Sequence, residues 1–168
     1  FLFFVAVEGL GFGNGGIDDP ARTAQNRFSH ALPPDNVIPF LFAAGLKLPQ
    51  MPSPLLADWL SSDRPPLQTG LYLLLYVRDR ALPYQVLASL LQATFLFGVW
   101  ILCAATGVSA VTRRITLLAC CLLPVSIINT FYVWPKLVSV GYLLIVFTLL
   151  FVCRTRDARM QKIVGFLL

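Results

Sequence analysis

The feature that most constrains this chain is a run of 32 residues without a charged side chain, residues 81–112. A helix that crosses the hydrocarbon core of a bilayer needs roughly 20 apolar residues, so this run is long enough for one crossing with room for tilt. Two further uncharged runs, residues 115–135 and 137–153, are separated by Lys136 alone. The pattern predicts three membrane-spanning helices, at about residues 84–107, 115–134 and 137–153.

Two prolines, Pro124 and Pro135, lie in the run 115–135. Pro135 has no amide hydrogen and disfavours helix in the residue before it, so we expect Trp134, Pro135 and Lys136 to form the tip of a helical hairpin. Pro124 lies inside the first arm of that hairpin, where we expect it to kink the helix.

The charges indicate the orientation. Residues 81–153 carry three charges, all basic, whereas residues 8–80 carry thirteen, seven acidic and six basic. Basic residues concentrate in cytoplasmic loops, so Arg113, Arg114 and the basic segment 154–162 are expected inside. Residues 8–80 are then external, and the chain is a multi-pass protein of the cell membrane. The net charge of +5 follows from this distribution, and no nucleic-acid partner is expected.

Both ends of the chain are apolar. We interpret residues 1–7 as the end of a first transmembrane helix and residues 163–168 as the start of a further one, so the chain is expected to be a fragment of a longer protein. The predicted fold class is all-α: a polytopic transmembrane helical protein with a large external loop that contains short amphipathic helices. In that loop, residues 54–59 and 67–77 are among the segments expected to be helical.

Carboxylates in the external loop are the best candidates for chemistry. Asp18 and Asp19 follow a glycine-rich segment and precede Pro20. Either one is placed to act as a general base towards an acceptor hydroxyl, and a divalent cation bound there stays open as a cofactor. The alternative is structural, with the pair serving as the N-cap of a helix that begins at Pro20. No Cys and His spacing predicts a metal site.

Four other residues are candidates for substrate binding. His30 and Arg64 lie in the external loop, where they are suited to hold a phosphate or a sugar hydroxyl, or else to form surface hydrogen bonds and a local ion pair. Lys136 at the hairpin tip is suited to bind a lipid-linked phosphate, although a lysine there also simply reaches the headgroup level. Trp134 is suited to stack on a sugar ring or to lie in an interfacial aromatic belt.

The order of these segments resembles a known family. The quoted stretches are the external Asp18-Asp19 pair, His30, and LPPDNVIPFLFAAGL, DWLSSDRPPLQTG and NTFYVWPKL, which begin at residues 32, 58 and 129. Together they resemble bacterial multi-spanning glycosyltransferases of the C superfamily, nearest to the mannosyltransferase and aminoarabinose transferase group. The resemblance covers nearly the whole chain but only the N-terminal part of such an enzyme.

The resemblance implies an enzyme that transfers a sugar from a polyprenyl-phosphate donor to a glycan or lipid acceptor at the outer face of the membrane. It assigns the base or acceptor-binding role to an acidic residue of the first external loop, by position Asp19 or Asp18. Two alternatives stay open: a transporter fragment, which would place polar groups at mid-membrane, and a non-catalytic membrane subunit whose external loop binds a partner.

Overall fold

The computed structural model of the chain describes residues 24, 32–60, 66–74 and 81–153. These residues are mostly helical, and none of them lies in a β-strand, which confirms the all-α prediction at this level. A short 3₁₀ helix, Pro34–Val37, leads into α1 (Ile38–Gly45). The helices that follow are α2 (Leu67–Leu74), α3 (Ala81–Ala93), α4 (Phe95–Ala105), α5 (Ala110–Leu122), α6 (Pro124–Phe131) and α7 (Lys136–Phe147), which continues as a π-helical segment, Thr148–Cys153.

One helix in the described part is long and apolar enough to cross a membrane. It is Leu82–Ala105, 24 residues that join α3 and α4 through Thr94, and it overlaps the predicted span 84–107. Helices α5 and α6 pass the same test only as a pair, bent by 58°. The bend falls at Leu123, whose extended backbone (ψ 130°) precedes Pro124. Proline disfavours α-helical geometry in the residue before it, which is why the predicted kink occurs there.

Residues 54–59 do not form the expected helix. The amide of Leu55 donates to the carbonyl of Trp59 (2.8 Å), and the amide of Trp59 donates to the carbonyl of Leu56 (2.8 Å). The first of these bonds runs in the opposite direction to an α-helical bond. Ala57 has a positive φ of 50°, a left-handed conformation that an α-helix excludes. The segment is therefore a turn closed by a single bridge, and the helix prediction there is wrong.

The chain divides into two compact units. The described part of the first contains residues 24, 32–60, 66–74 and 81–90, together with Thr130–Trp134. Its apolar core contains Ala43 of α1, Tyr72 of α2, Tyr84 and Ala88 of α3, and Val133. The ring of Tyr84 lies between two others, with centroid distances of 4.6 Å to Tyr72 and 5.4 Å to Phe40.

The described part of the second unit contains residues 91–129 and 135–153. Helices α4 and α7 pack closely here because glycines lie at their contact. A Cβ placed on Gly98 would lie 2.7 Å from the carbonyl oxygen of Gly141, and one on Gly141 would lie 2.9 Å from the Cα of Phe95. Small residues that bring two backbones together are a common basis of helix association in membranes.

Candidate functional site

The segment Thr130–Trp134 of the first unit is held by side chains from two helices. It contains the last two residues of α6 and the turn after them, and it is called the turn below. Gln85 and Ser89 of α3 donate to the carbonyls of Phe131 (2.6 Å) and Thr130 (3.3 Å). Gln68 of α2 donates to the carbonyl of Val133 (3.3 Å). The last carbonyls of a helix have no partner within it, and Val133 has a positive φ of 52°. Gln85 and Ser89 therefore replace hydrogen bonds that the ending helix lacks, and Gln68 holds the left-handed residue that follows it.

The same turn binds a buried carboxylate. Asp35 is 3% exposed and lies in the 3₁₀ helix that Pro34 begins. One of its carboxylate oxygens accepts from the hydroxyl of Tyr132, and the other accepts from the indole nitrogen of Trp134 at 3.2 Å. The hydroxyl of Tyr132 also contacts the carbonyl of Pro33. Hydrogen bonds to both oxygens offset the large cost of removing a carboxylate from water.

A second set of polar side chains surrounds Tyr84. Its hydroxyl donates to the carbonyl of Asn36 (2.5 Å) and accepts from the amide nitrogen of Gln68 (3.4 Å). The hydroxyl of Tyr72 donates to the carbonyl of Tyr84. Burial raises the pKa of Tyr72 above its ordinary value, and the nearby Tyr84 adds to this effect. Tyr72 therefore remains a neutral donor at physiological pH.

Two atoms in this region keep unused hydrogen-bonding capacity. The side-chain oxygen of Gln68 and the hydroxyl oxygen of Thr130 are buried and have no hydrogen-bond partner within the described part of the chain. Leaving such a group unpaired costs about 1–3 kcal/mol, and buried water molecules commonly supply such partners in globular proteins. The cluster formed by Asp35, Gln68, Thr130, Tyr132 and Trp134 is called the polar cluster below.

The polar cluster joins segments that are distant in sequence. Asp35 belongs to LPPDNVIPFLFAAGL, Gln68 to DWLSSDRPPLQTG, and Thr130, Tyr132 and Trp134 to NTFYVWPKL. The contacts of Asp35 with Tyr132 and Trp134, and of Gln68 with Val133, bring the three stretches together. Thr69 also donates to the carbonyl of Pro39 at 3.4 Å.

No family model, characterised protein or solved structure matches the chain.

The structure describes two of the six predicted site residues, Trp134 and Lys136. Asp18, Asp19, His30 and Arg64 lie outside the described residues. Trp134 is half-buried in the first unit and binds Asp35. Lys136 is exposed at the first position of α7 in the second unit.

No group of three His, Cys, Asp or Glu residues that would hold a metal ion occurs in residues 32–60, 66–74 and 81–153.

Sequence reasoning missed Asp35, Gln68 and the polar face of α3. In the sequence, Asp35 simply ends the stretch that begins Leu32-Pro33-Pro34, and no neighbouring residue indicates that it is buried. A signal did exist for α3, because Gln85, Ser89 and Gln92 interrupt an apolar run at intervals of four and three residues. That spacing places them on one face of a helix, and all three are buried.

Proposed function

We propose that this chain is part of a multi-pass membrane glycosyltransferase that takes a sugar from a polyprenyl-phosphate donor and transfers it to a glycan or lipid acceptor at the outer face. The observation that carries the proposal is the convergence of three distant motif segments on the polar cluster. These segments are the ones on which the resemblance to the C superfamily rests. The helix Leu82–Ala105 supports a membrane location.

In this proposal the polar cluster has a positioning role. It fixes the turn Thr130–Trp134, so that Trp134 can offer its ring to a sugar. Lys136 of the second unit is a compact positive charge suited to bind the donor phosphate. Asp35 accepts two hydrogen bonds from its own chain, so we assign it to holding the turn and not to proton transfer. The base is Asp19 or Asp18, which would remove the proton from the acceptor hydroxyl as the sugar–phosphate bond breaks and the polyprenyl phosphate leaves.

The experiment is donor turnover by the product of the whole open reading frame, reconstituted in vesicles with a radiolabelled polyprenyl-phosphate sugar. Asp19→Asn or Asp18→Asn should reduce sugar release by a factor of 10²–10⁴, the usual contribution of a general base. Asp58→Asn removes an exposed carboxylate of the same external segment and serves as the matched control. Full turnover by both the Asp18 and the Asp19 variant would exclude the proposal.

A second candidate, a non-catalytic membrane subunit or transporter fragment, is favoured by another observation. The polar side chains of the helix Leu82–Ala105 bind backbone: Gln85 and Ser89 bind carbonyls, and Gln92 binds amides. A purely structural role explains these contacts without chemistry. Wild-type protein that folds in vesicles, yet turns over none of a panel of polyprenyl-linked sugars, would support this candidate.

A further inference from the structure

Helix α5 presents an apolar stripe that nothing in the described chain covers. Val111, Ile115, Leu118 and Leu122 are 66%, 62%, 60% and 53% exposed. Their spacing of four, three and four residues places them on one face of the helix. No residue of α5 is buried.

The opposite face of α5 packs against α4. The guanidinium of Arg113 lies over the ring of Trp100, 5.5 Å from its centroid, at a distance typical of a cation–π contact. Arg114 follows at the next position and is exposed. A turn through Gly107, with φ of 78°, joins the end of the helix Leu82–Ala105 to α5. Two positive charges and an indole ring therefore lie close to the end of the candidate span.

We propose that α5, through its exposed apolar stripe and the two arginines of its first turns, binds the anionic phospholipids of one membrane leaflet. The exposed stripe contacts acyl chains, while Arg113 and Arg114 bind headgroup phosphates. Charge complementarity selects this occupant, because residues 81–153 contain no acidic residue and Arg113 and Arg114 are adjacent. Tryptophan favours the same headgroup depth. The inference rests on the membrane location of the helix Leu82–Ala105 and is independent of sugar transfer.

The first test titrates fluorescent phosphatidylglycerol into phosphatidylcholine nanodiscs that contain the full chain. Each basic residue near an anionic surface contributes about fivefold in affinity, so Arg113→Gln/Arg114→Gln should weaken binding by roughly 25-fold. Arg113→Lys/Arg114→Lys keeps the charges and should bind nearly as wild type does. Lys47→Gln, which removes an exposed charge from the first unit, is the control.

Three results would overturn the proposal. One is equal binding of phosphatidylglycerol by wild type and the Gln double variant. Another is displacement of phosphatidylglycerol by trace polyprenyl phosphate, which would make the surface a donor site. If the double variant fails to fold, wild-type binding at 0.5 M NaCl decides: electrostatic binding must weaken because the Debye length shortens to a few ångströms, and unchanged binding contradicts the proposal.

A second measurement tests the stripe. Phospholipids brominated along their acyl chains quench tryptophan that lies in the hydrocarbon. A tryptophan introduced by Leu118→Trp should add emission that these lipids quench strongly. One introduced by Asp58→Trp, in the exposed turn of the first unit, should add emission that they leave nearly unchanged. Quenching at position 118 as weak as at position 58 would show that the stripe does not contact acyl chains.

Discussion

The carboxylate of the buried residue Asp35 accepts a hydrogen bond from the hydroxyl of Tyr132, a residue 97 positions further along the chain. This contact connects the segment before α1 to the turn that follows α6. The indole of Trp134 binds the second carboxylate oxygen, so a single acidic side chain organises two of the three aromatic residues of the turn. Their rings meet edge to face, with centroids 4.8 Å apart.

Replacement of the Tyr132 hydroxyl tests this relationship. Tyr132→Phe should lower the free energy of unfolding by about 1.5–3 kcal/mol, the range for a hydrogen bond to a charged group. In an Asp35→Asn background, Tyr132→Phe should lower the free energy of unfolding by less, because the charge that the hydroxyl stabilises is gone. Denaturant unfolding in detergent measures both effects, and Tyr142→Phe, at an exposed ring of α7, is the control. Additive effects of the two substitutions would refute the coupling.

Gln92 is predicted to cap α7. Its side-chain oxygen accepts from the amides of Leu137 (3.1 Å) and Val138 (3.3 Å), two of the donors that a helix N-terminus leaves unpaired. Pro135, which precedes the helix, offers no side-chain cap. Gln92→Met keeps the shape but removes the acceptor, and should lower the unfolding free energy by about 1–3 kcal/mol.

The matched control for that change is Gln50→Met at an exposed position, which should leave stability within about 0.5 kcal/mol of wild type. Hydrogen exchange at the amides of residues 137 and 138 measures directly whether these two donors are protected. Protection unchanged by Gln92→Met would mean that the glutamine does not cap the helix.

Two glycines should respond in opposite directions to the same substitution. Gly98→Ala places a methyl group against the backbone of Gly141. Because α4 and α7 must then separate, the free energy of unfolding should fall by about 1–3 kcal/mol. Gly70 lies in α2 with no atom within 4 Å of an added Cβ, so Gly70→Ala should raise stability by up to about 1 kcal/mol through helix propensity. Thermal unfolding of the two variants side by side checks the contrast, and a stabilising Gly98→Ala would contradict the close packing.

Stability should fall in alkali because of Tyr72. Burial raises the pKa of this hydroxyl in the folded chain above its ordinary value of 10.0, so above pH 10 the unfolded state loses the proton first. The stabilisation is therefore complete below pH 10, and it declines above that pH by at most about 1.4 kcal/mol per pH unit. Tyr72→Phe should flatten the decline between pH 9 and 12, whereas Tyr142→Phe should retain it. Parallel curves for wild type and Tyr72→Phe would rule out this assignment.

Local patterns predicted what depends on local physics. The apolar run 81–112 contains the helix Leu82–Ala105, and Pro124 coincides with the 58° bend because proline acts on its immediate neighbour. The turn at Ala57 was missed because nothing in the local sequence demands a positive φ of an alanine. Asp35 was missed because its partners lie 97 and 99 residues away, and only tertiary contacts between distant segments make its burial tolerable.

An external catalytic loop in a multi-pass protein requires successive segments to lie on opposite sides of the membrane. Single cysteines replacing Asp58, Thr106, Lys136 and Arg156, in a background without the native cysteines, can be labelled in intact cells with a membrane-impermeant maleimide. We expect labelling at residues 58 and 136 from outside, and at residues 106 and 156 only after permeabilisation. Residues 106 and 136 on one side would contradict the multi-pass arrangement, and residue 58 inside would contradict the external location of the proposed base.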